Sequence, residues 1–117
     1  ALAKIDALFR SRGDDAQTRV SLRLLETIDY LEDTENPQPL LLVSGYRSEG
    51  YNAALIAKGG QAARTSMHSE GLAADLHFGG VDQRALWDRL RALECCGAGY
   101  YKTSGFVHVD TGRVRAW

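Results

Sequence analysis

The sequence predicts an α+β domain, and three observations carry that expectation. Apolar residues recur at helical spacing over residues 18–31 and again over residues 82–94. Residues 71–78 and 105–110 alternate instead with period two, as half-buried strands do. The helical and strand segments do not strictly alternate: helices lead and strands mixed with helices follow, an order that favours antiparallel pairing. The expected architecture is a small antiparallel sheet with helices packed on one face. A length of 117 residues suits one domain with one modest core, so residues 1–117 are read as a single unit.

Taken in order, a first helix over residues 1–10 breaks near Arg12-Gly13-Asp14. Val20, Leu24, Ile28 and Leu31, with Leu25 widening the stripe, give the helix over residues 18–31 its buried face. Glu35-Asn36-Pro37-Gln38-Pro39 stops it. Residues 40–43 form a continuous apolar run, predicted as a buried strand that ends at Ser44-Gly45-Tyr46-Arg47-Ser48. A short helix over residues 51–58 ends at Gly59-Gly60, and a polar loop covers residues 61–69. After the strand at 71–78, the helix at 82–94 is expected to bury Leu86, Leu90 and Leu93 with Trp87 beside them. Residues 97–101 and 105–110 read as the arms of a hairpin around Lys102-Thr103-Ser104.

Composition excludes several classes of partner. The chain is 44% apolar and 25% charged with a net charge of −1, which offers no electrostatic footprint for nucleic acid or an anionic membrane. No apolar run approaches the length of a transmembrane segment. No basic stretch followed by an apolar one opens the sequence, so no export signal is read in it. The two cysteines, Cys95 and Cys96, are adjacent. A ring between neighbours strains the peptide geometry, and no second Cys or His pair stands at zinc-finger spacing. They are read as small unpaired residues at the start of a strand, and the redox compartment stays open.

The chemistry lies in the two alternating strands. Along 71–78, Leu72, Ala74, Leu76 and Phe78 share one face, while Ala73, Asp75 and His77 share the other. Along the second strand Val107 and Val109 point to the core, and Phe106, His108 and Asp110 point away. Two neighbouring strands of this kind bring imidazoles and carboxylates into one cleft. His68, in the loop seven residues before Asp75, completes a set. His68, Asp75 and His108 would supply three ligands to a zinc ion and leave a fourth position for water, the pattern of a catalytic site. Two neutral imidazoles and one carboxylate leave the ion a net positive charge, which polarises a carbonyl and acidifies water. Tyr100 and Tyr101 point in opposite directions, one to the core and one to the cleft; Tyr100 is assigned to substrate.

These segments resemble a known group. Ser-Gly-Tyr-Arg-Ser at 44–48, Ser66-Met67-His68 followed by Gly71-Leu72-Ala73-Ala74-Asp75, and Gly105-Phe106-Val107-His108-Val109-Asp110 are similar to the D-alanyl-D-alanine metallopeptidase clan. Gly99-Tyr100-Tyr101 and the stretch through Thr111-Gly112 and Arg115-Ala116-Trp117 look closest to its murein endopeptidase branch. The resemblance covers residues 41–117 and implies a hedgehog/D-Ala-D-Ala-peptidase-like fold with a zinc cleft on the open face of the sheet. It implies His68, Asp75 and His108 as metal ligands, Arg47 as the cation that holds a substrate carbonyl or oxyanion, and Ser66 as a residue orienting a ligand or binding substrate.

In one respect the sequence departs from the clan. Several members place a catalytic Glu or Asp three positions before the last ligand, and here that position is Gly105. Asp110 is the first alternative as general base, His77 the second and Glu70 the third; Asp110 serves equally as a carboxylate orienting an imidazole. The expected activity is zinc-dependent hydrolysis of peptide bonds in cell-wall peptides, cross-link cleavage ahead of trimming a terminal D-alanine. That substrate implies a bacterial periplasm or cell envelope. Two rivals remain: a metal-containing module that binds cell wall without cutting it, and a phage endolysin-type peptidase.

Overall fold

The computed structural model describes residues 2–11, 13–57 and 67–117. The first helix, α1 (Leu2–Leu8), is held by Asp6, whose carboxylate accepts from the Val20 amide at 2.9 Å and pairs with Arg19. Helix α2 (Leu22–Glu35) starts later than its apolar stripe suggests, because the Ser21 hydroxyl accepts from the Leu24 amide and caps it. Val20 is still buried, from the extended segment ahead of the cap. The helix ends at Asn36, whose left-handed conformation (φ 47°) lets its amide reach the Glu32 carbonyl.

Five strands form one mixed sheet in the order β1 (Leu40–Ser44), β2 (Ala73–Phe78), β4 (Phe106–Asp110), β3 (Gly97–Tyr101), β5 (Arg115–Ala116). The first three neighbouring pairs are antiparallel, as expected. The last is a correction: β5 runs parallel to β3, Gly97 facing Arg115 and Ala98 facing Ala116. A two-residue exposed strand has no periodicity to announce it.

Helices α1 and α2 and the helix after β2 pack on one face of the sheet among the described residues. Ala74, Leu76 and Phe78 of β2, Val107 and Val109 of β4 and Ala98 of β3 pack with Leu24 and Leu31 of α2 and with Leu86 and Leu90 of α4 (Gln83–Ala92). Asp82 caps α4 through hydrogen bonds to the Arg84 and Ala85 amides. Leu93, expected in the core, is 46% exposed because α4 ends at Ala92 and the chain turns away. Strand β1 also departs from its expected burial. It is an edge strand, and Leu41, on the face opposite α2 and α4, is 50% exposed. A bulge between Leu42 and Ser44 then returns Ser44 to the side of Asp75.

Helix α3 (Glu49–Ala57) replaces the helix expected over 51–58; Lys58, Gly59-Gly60, Arg12 and the loop as far as Ser66 lie outside the described residues. Among the described residues no helix is long and apolar enough to cross a membrane. Cys95 and Cys96 place their sulfurs side by side. They sit in the turn after α4, ahead of β3, where the alternation that separates neighbouring side chains in a strand does not apply.

Candidate metal centre

The face of the sheet opposite α2 and α4 carries the polar set. Asp75 and His108 are directly opposite each other in the β2–β4 ladder, so backbone pairing alone brings their side chains together. The His108 Nδ1 lies 2.9 Å from Asp75 Oδ1. His68 arrives from a 3-10 turn, Met67–Glu70, with Nε2 3.3 Å from the same oxygen. The three ligand atoms all lie within 4.8 Å of one another, and the residues are 3%, 3% and 7% exposed.

Each donor's other polar atom is already engaged. His68 Nδ1 donates to the Gly45 carbonyl at 2.7 Å, which fixes the tautomer with Nε2 as the acceptor nitrogen. His108 Nε2 bonds Asp110 Oδ2 at 2.8 Å, and Asp75 Oδ2 accepts from Arg47 Nη2 at 3.1 Å. Backbone carbonyls and carboxylates behind ligating imidazoles are the usual supports of a metal site. Ligands about 2.0–2.1 Å from a tetrahedral ion stand about 3.3–3.4 Å apart, and the separations here are 3.3 and 2.9 Å. The residues fit a divalent cation held by two nitrogens and one oxygen.

The loop after β1 is built to serve this cluster. Arg47 donates Nε to the Ser44 hydroxyl at 3.2 Å, and its amide donates to the His68 carbonyl at 3.0 Å, so loop and 3-10 turn are joined in both directions. The Tyr46 amide donates to the Phe9 carbonyl at 2.7 Å. A Cβ at Gly45 would stand 2.7 Å from the Phe9 ring, so only glycine leaves the carbonyl of residue 45 in reach of His68.

The other expected residues fall as follows. Asp110 is fully buried. It accepts from His108, from the Gly112 amide at 2.9 Å and from Arg115 at 3.2 Å, and it engages the edge of the His108 ring away from Asp75. His77 shares the open face with Asp75, and its Nδ1 donates to the Gly105 carbonyl at 2.7 Å, leaving Nε2 as the acceptor. Gly105 itself has φ +74°, a conformation that side chains rarely adopt, so the acid of other clan members has no easy place here. Glu70 is exposed on the 3-10 turn, and Ser66 lies outside the described residues. The assignment of Tyr100 to the cleft is corrected: it pairs with Val107 on the helix side and stacks on Trp87 at 6.1 Å. Tyr101 faces the cleft, stacked on Phe106 at 4.7 Å.

Two glycines and an aromatic were missed. On the cleft face of β3 a Cβ at Gly97 would stand 2.4 Å from the Asp110 carboxylate, and one at Gly99 2.6 Å from the Trp117 ring. Glycine at alternate positions of a strand was the available signal. Gly97→Ala should lower stability by about 1–3 kcal/mol through overpacking, read from urea denaturation, and should weaken metal binding by displacing Asp110.

Charge and burial oppose each other throughout the cluster. Burial works against a charged Asp75, but the hydrogen bond from His108 and the nearness of His68 outweigh it and hold the carboxyl well below the usual range. Burial likewise disfavours a charged His108, yet the Asp110 and Asp75 carboxylates bonded to its two nitrogens hold its pKa above the ordinary value. Asp110 is burdened by burial and lowered, on balance, by His108 and the Gly112 amide. For the metal-free chain the linkage runs in two directions. The depressed carboxyls contribute stability above about pH 4 that is lost as pH falls through their folded pKa values. The raised imidazole contributes stability below about pH 6.5 that is lost as pH rises through its folded pKa. Metal-free melting temperature should therefore peak between about pH 4 and 6.5. A divalent cation takes the lone pair that the proton on Nδ1 occupies, so metal-loaded samples should lose the alkaline decline. Thermal scans across pH, with and without zinc, measure both.

The family model for peptidoglycan L,D-endopeptidase MepK matches residues 1–117. The peptidoglycan L,D-endopeptidase MepK of Escherichia coli K12 is 32% identical over 117 residues, covering 99% of this chain and 64% of the relative. The Shigella flexneri protein of the same name matches to the same extent. A probable peptidoglycan L,D-endopeptidase MepK of Haemophilus influenzae is 31% identical over 119 residues, covering 99% of this chain and 63% of the relative. The chain thus spans somewhat under two thirds of the length of these relatives. No solved structure matches it.

Proposed function

We propose a hydrolase reading from one premise: the chain belongs to the peptidoglycan L,D-endopeptidase MepK family, within the D-alanyl-D-alanine metallopeptidase clan. The activity proposed is metal-dependent cleavage of a peptide bond in peptidoglycan, with zinc as the ion and an internal bond of the cell-wall peptide as the target. The relatives' names favour an endopeptidase over a carboxypeptidase. A periplasmic or envelope location goes with that substrate.

One observation carries the reading. Two imidazoles and a carboxylate converge below the surface with Nε2, Nδ1 and Oδ1 gathered together, while Gly45, Asp110 and Arg47 engage their remaining polar atoms. Two imidazole nitrogens and a carboxylate oxygen so gathered, each ring held from behind, are a donor set suited to a divalent cation. A divalent ion bound there supplies a Lewis acid that polarises a carbonyl and acidifies water.

The chain's own groups do the rest. Arg47, fixed through Nε on Ser44, offers the remainder of its guanidinium to the carbonyl oxygen as charge develops on it. Asp110 holds the His108 ring by its outer nitrogen. His77 would take at Nε2 the proton that the attacking water loses and return it to the leaving amine, since its Nδ1 is committed to Gly105 and Asp110 is held by His108, Gly112 and Arg115. His77→Gln should lower kcat about 100-fold with metal content unchanged.

Muropeptides incubated with the purified zinc-loaded chain test the function. New free amines, absent with His68→Ala and after chelation, support the peptidase. Retention on cell wall with no new amines supports instead the binding module that the glycine at position 105 leaves open.

A further inference from the structure

The residues beyond β4 lie outside the hydrophobic core. The Trp117 amide donates to the Ala98 carbonyl at 3.0 Å, and the Tyr100 amide donates to the Trp117 carbonyl at 2.9 Å, which lays β5 along β3. The indole then sits over Gly99, on the open face of the sheet, with its ring 5.1 Å from that of His108. Its Nε1 donates to the Tyr101 hydroxyl at 3.0 Å, and the Arg115 guanidinium lies 4.4 Å from the ring centroid while also bonding Asp110. Trp117 takes no part in the hydrophobic core, and 40% of it is exposed. Trp87 shows the contrasting case, packed on the core side against Tyr100. An immobilised aromatic half in solvent beside reactive groups has already lost the freedom that binding would otherwise remove.

We infer that Trp117 is the specificity wall of this site, a stacking platform for the peptide unit next to the scissile bond. The inference rests on the hydrolase reading. An extended peptide advances about 3.3–3.6 Å per residue, so a carbonyl held at His68, Asp75 and His108 places an amide one or two residues away against the indole. A planar amide and its flanking aliphatic carbons suit that surface, as aromatic side chains suit peptide ligands in general. Gly99 is part of the device, because any side chain there would displace the ring.

The test compares zinc-loaded wild type, Trp117→Phe and Trp117→Ala on muropeptides, with zinc affinity measured for each. Trp117→Ala should raise KM about 10-fold with kcat held within about twofold, and Trp117→Phe should recover most of the loss, as stacking of this strength implies. An unchanged KM overturns the inference and leaves the peptidase intact. So does a fall in zinc affinity large enough to explain the loss, since Trp117 would then merely prop His108. If wild type cleaves nothing, the hydrolase reading fails and binding decides the wall. In a Trp87→Phe background, a saturable change in Trp117 emission on adding muropeptide upholds it, and a flat titration overturns it.

Discussion

Asp75→Ala should leave a chain that neither retains zinc nor cleaves muropeptides, with kcat/KM down about 1000-fold or more. Several kcal/mol of Lewis-acid stabilisation go with the ion, and each 1.36 kcal/mol is about a factor of ten in rate. The same substitution removes the anion that Arg47 and both imidazoles share. Uncompensated buried charge makes removal of one partner cost about 3–5 kcal/mol, so the metal-free variant should also unfold at lower denaturant. Metal analysis, activity and urea denaturation read the three effects separately. Full zinc stoichiometry in the variant would remove Asp75 from the ligand set and the metal centre with it.

Arg47→Ala is the next largest expected loss, about 100–1000-fold in kcat at saturating zinc, the usual effect of deleting one preorganised donor from a developing oxyanion. Zinc affinity should fall as well, by about 10–100-fold, because Asp75 Oδ2 loses the partner that aims its other oxygen. Arg47→Lys separates charge from shape. Arg47 reaches Ser44 with Nε and Asp75 with Nη2, and a point charge on a flexible stem cannot reproduce that fork. Intermediate activity is therefore expected. Wild-type kcat in Arg47→Ala would confine this residue to holding the loop.

Much of the site was legible because strand alternation is a strong constraint. Once Val107 and Val109 are core, His108 and Asp110 must share the opposite face, and the same holds for Asp75 and His77 against Leu76 and Phe78. The choice between Tyr100 and Tyr101 needed one further fact, the hairpin register. Tyr100 stands opposite Val107, and residues directly opposite share a face. Leu41 was misread because an apolar run does not reveal whether helices lie on both sides of a strand or on one. Strand β5 was invisible for another reason: its partners are backbone atoms of β3, and its two exposed side chains encode nothing about that pairing. The division of labour at Asp110 could not be read at all, since a carboxylate two residues from a ligand serves a proton or a ring nitrogen with equal ease. In the structure this carboxylate bonds the outer nitrogen of the His108 ring, which supports the orienting role.

On the proposed metal reading, the ladder that sets Asp75 opposite His108 would make ion affinity a gauge of correct assembly. A slip of one residue between these two strands would turn one donor into the oily interior and put a valine or leucine in its stead. A misthreaded or half-formed sheet therefore grips no ion, and the hydrolytic power proposed here would switch on only in the last stages of maturation.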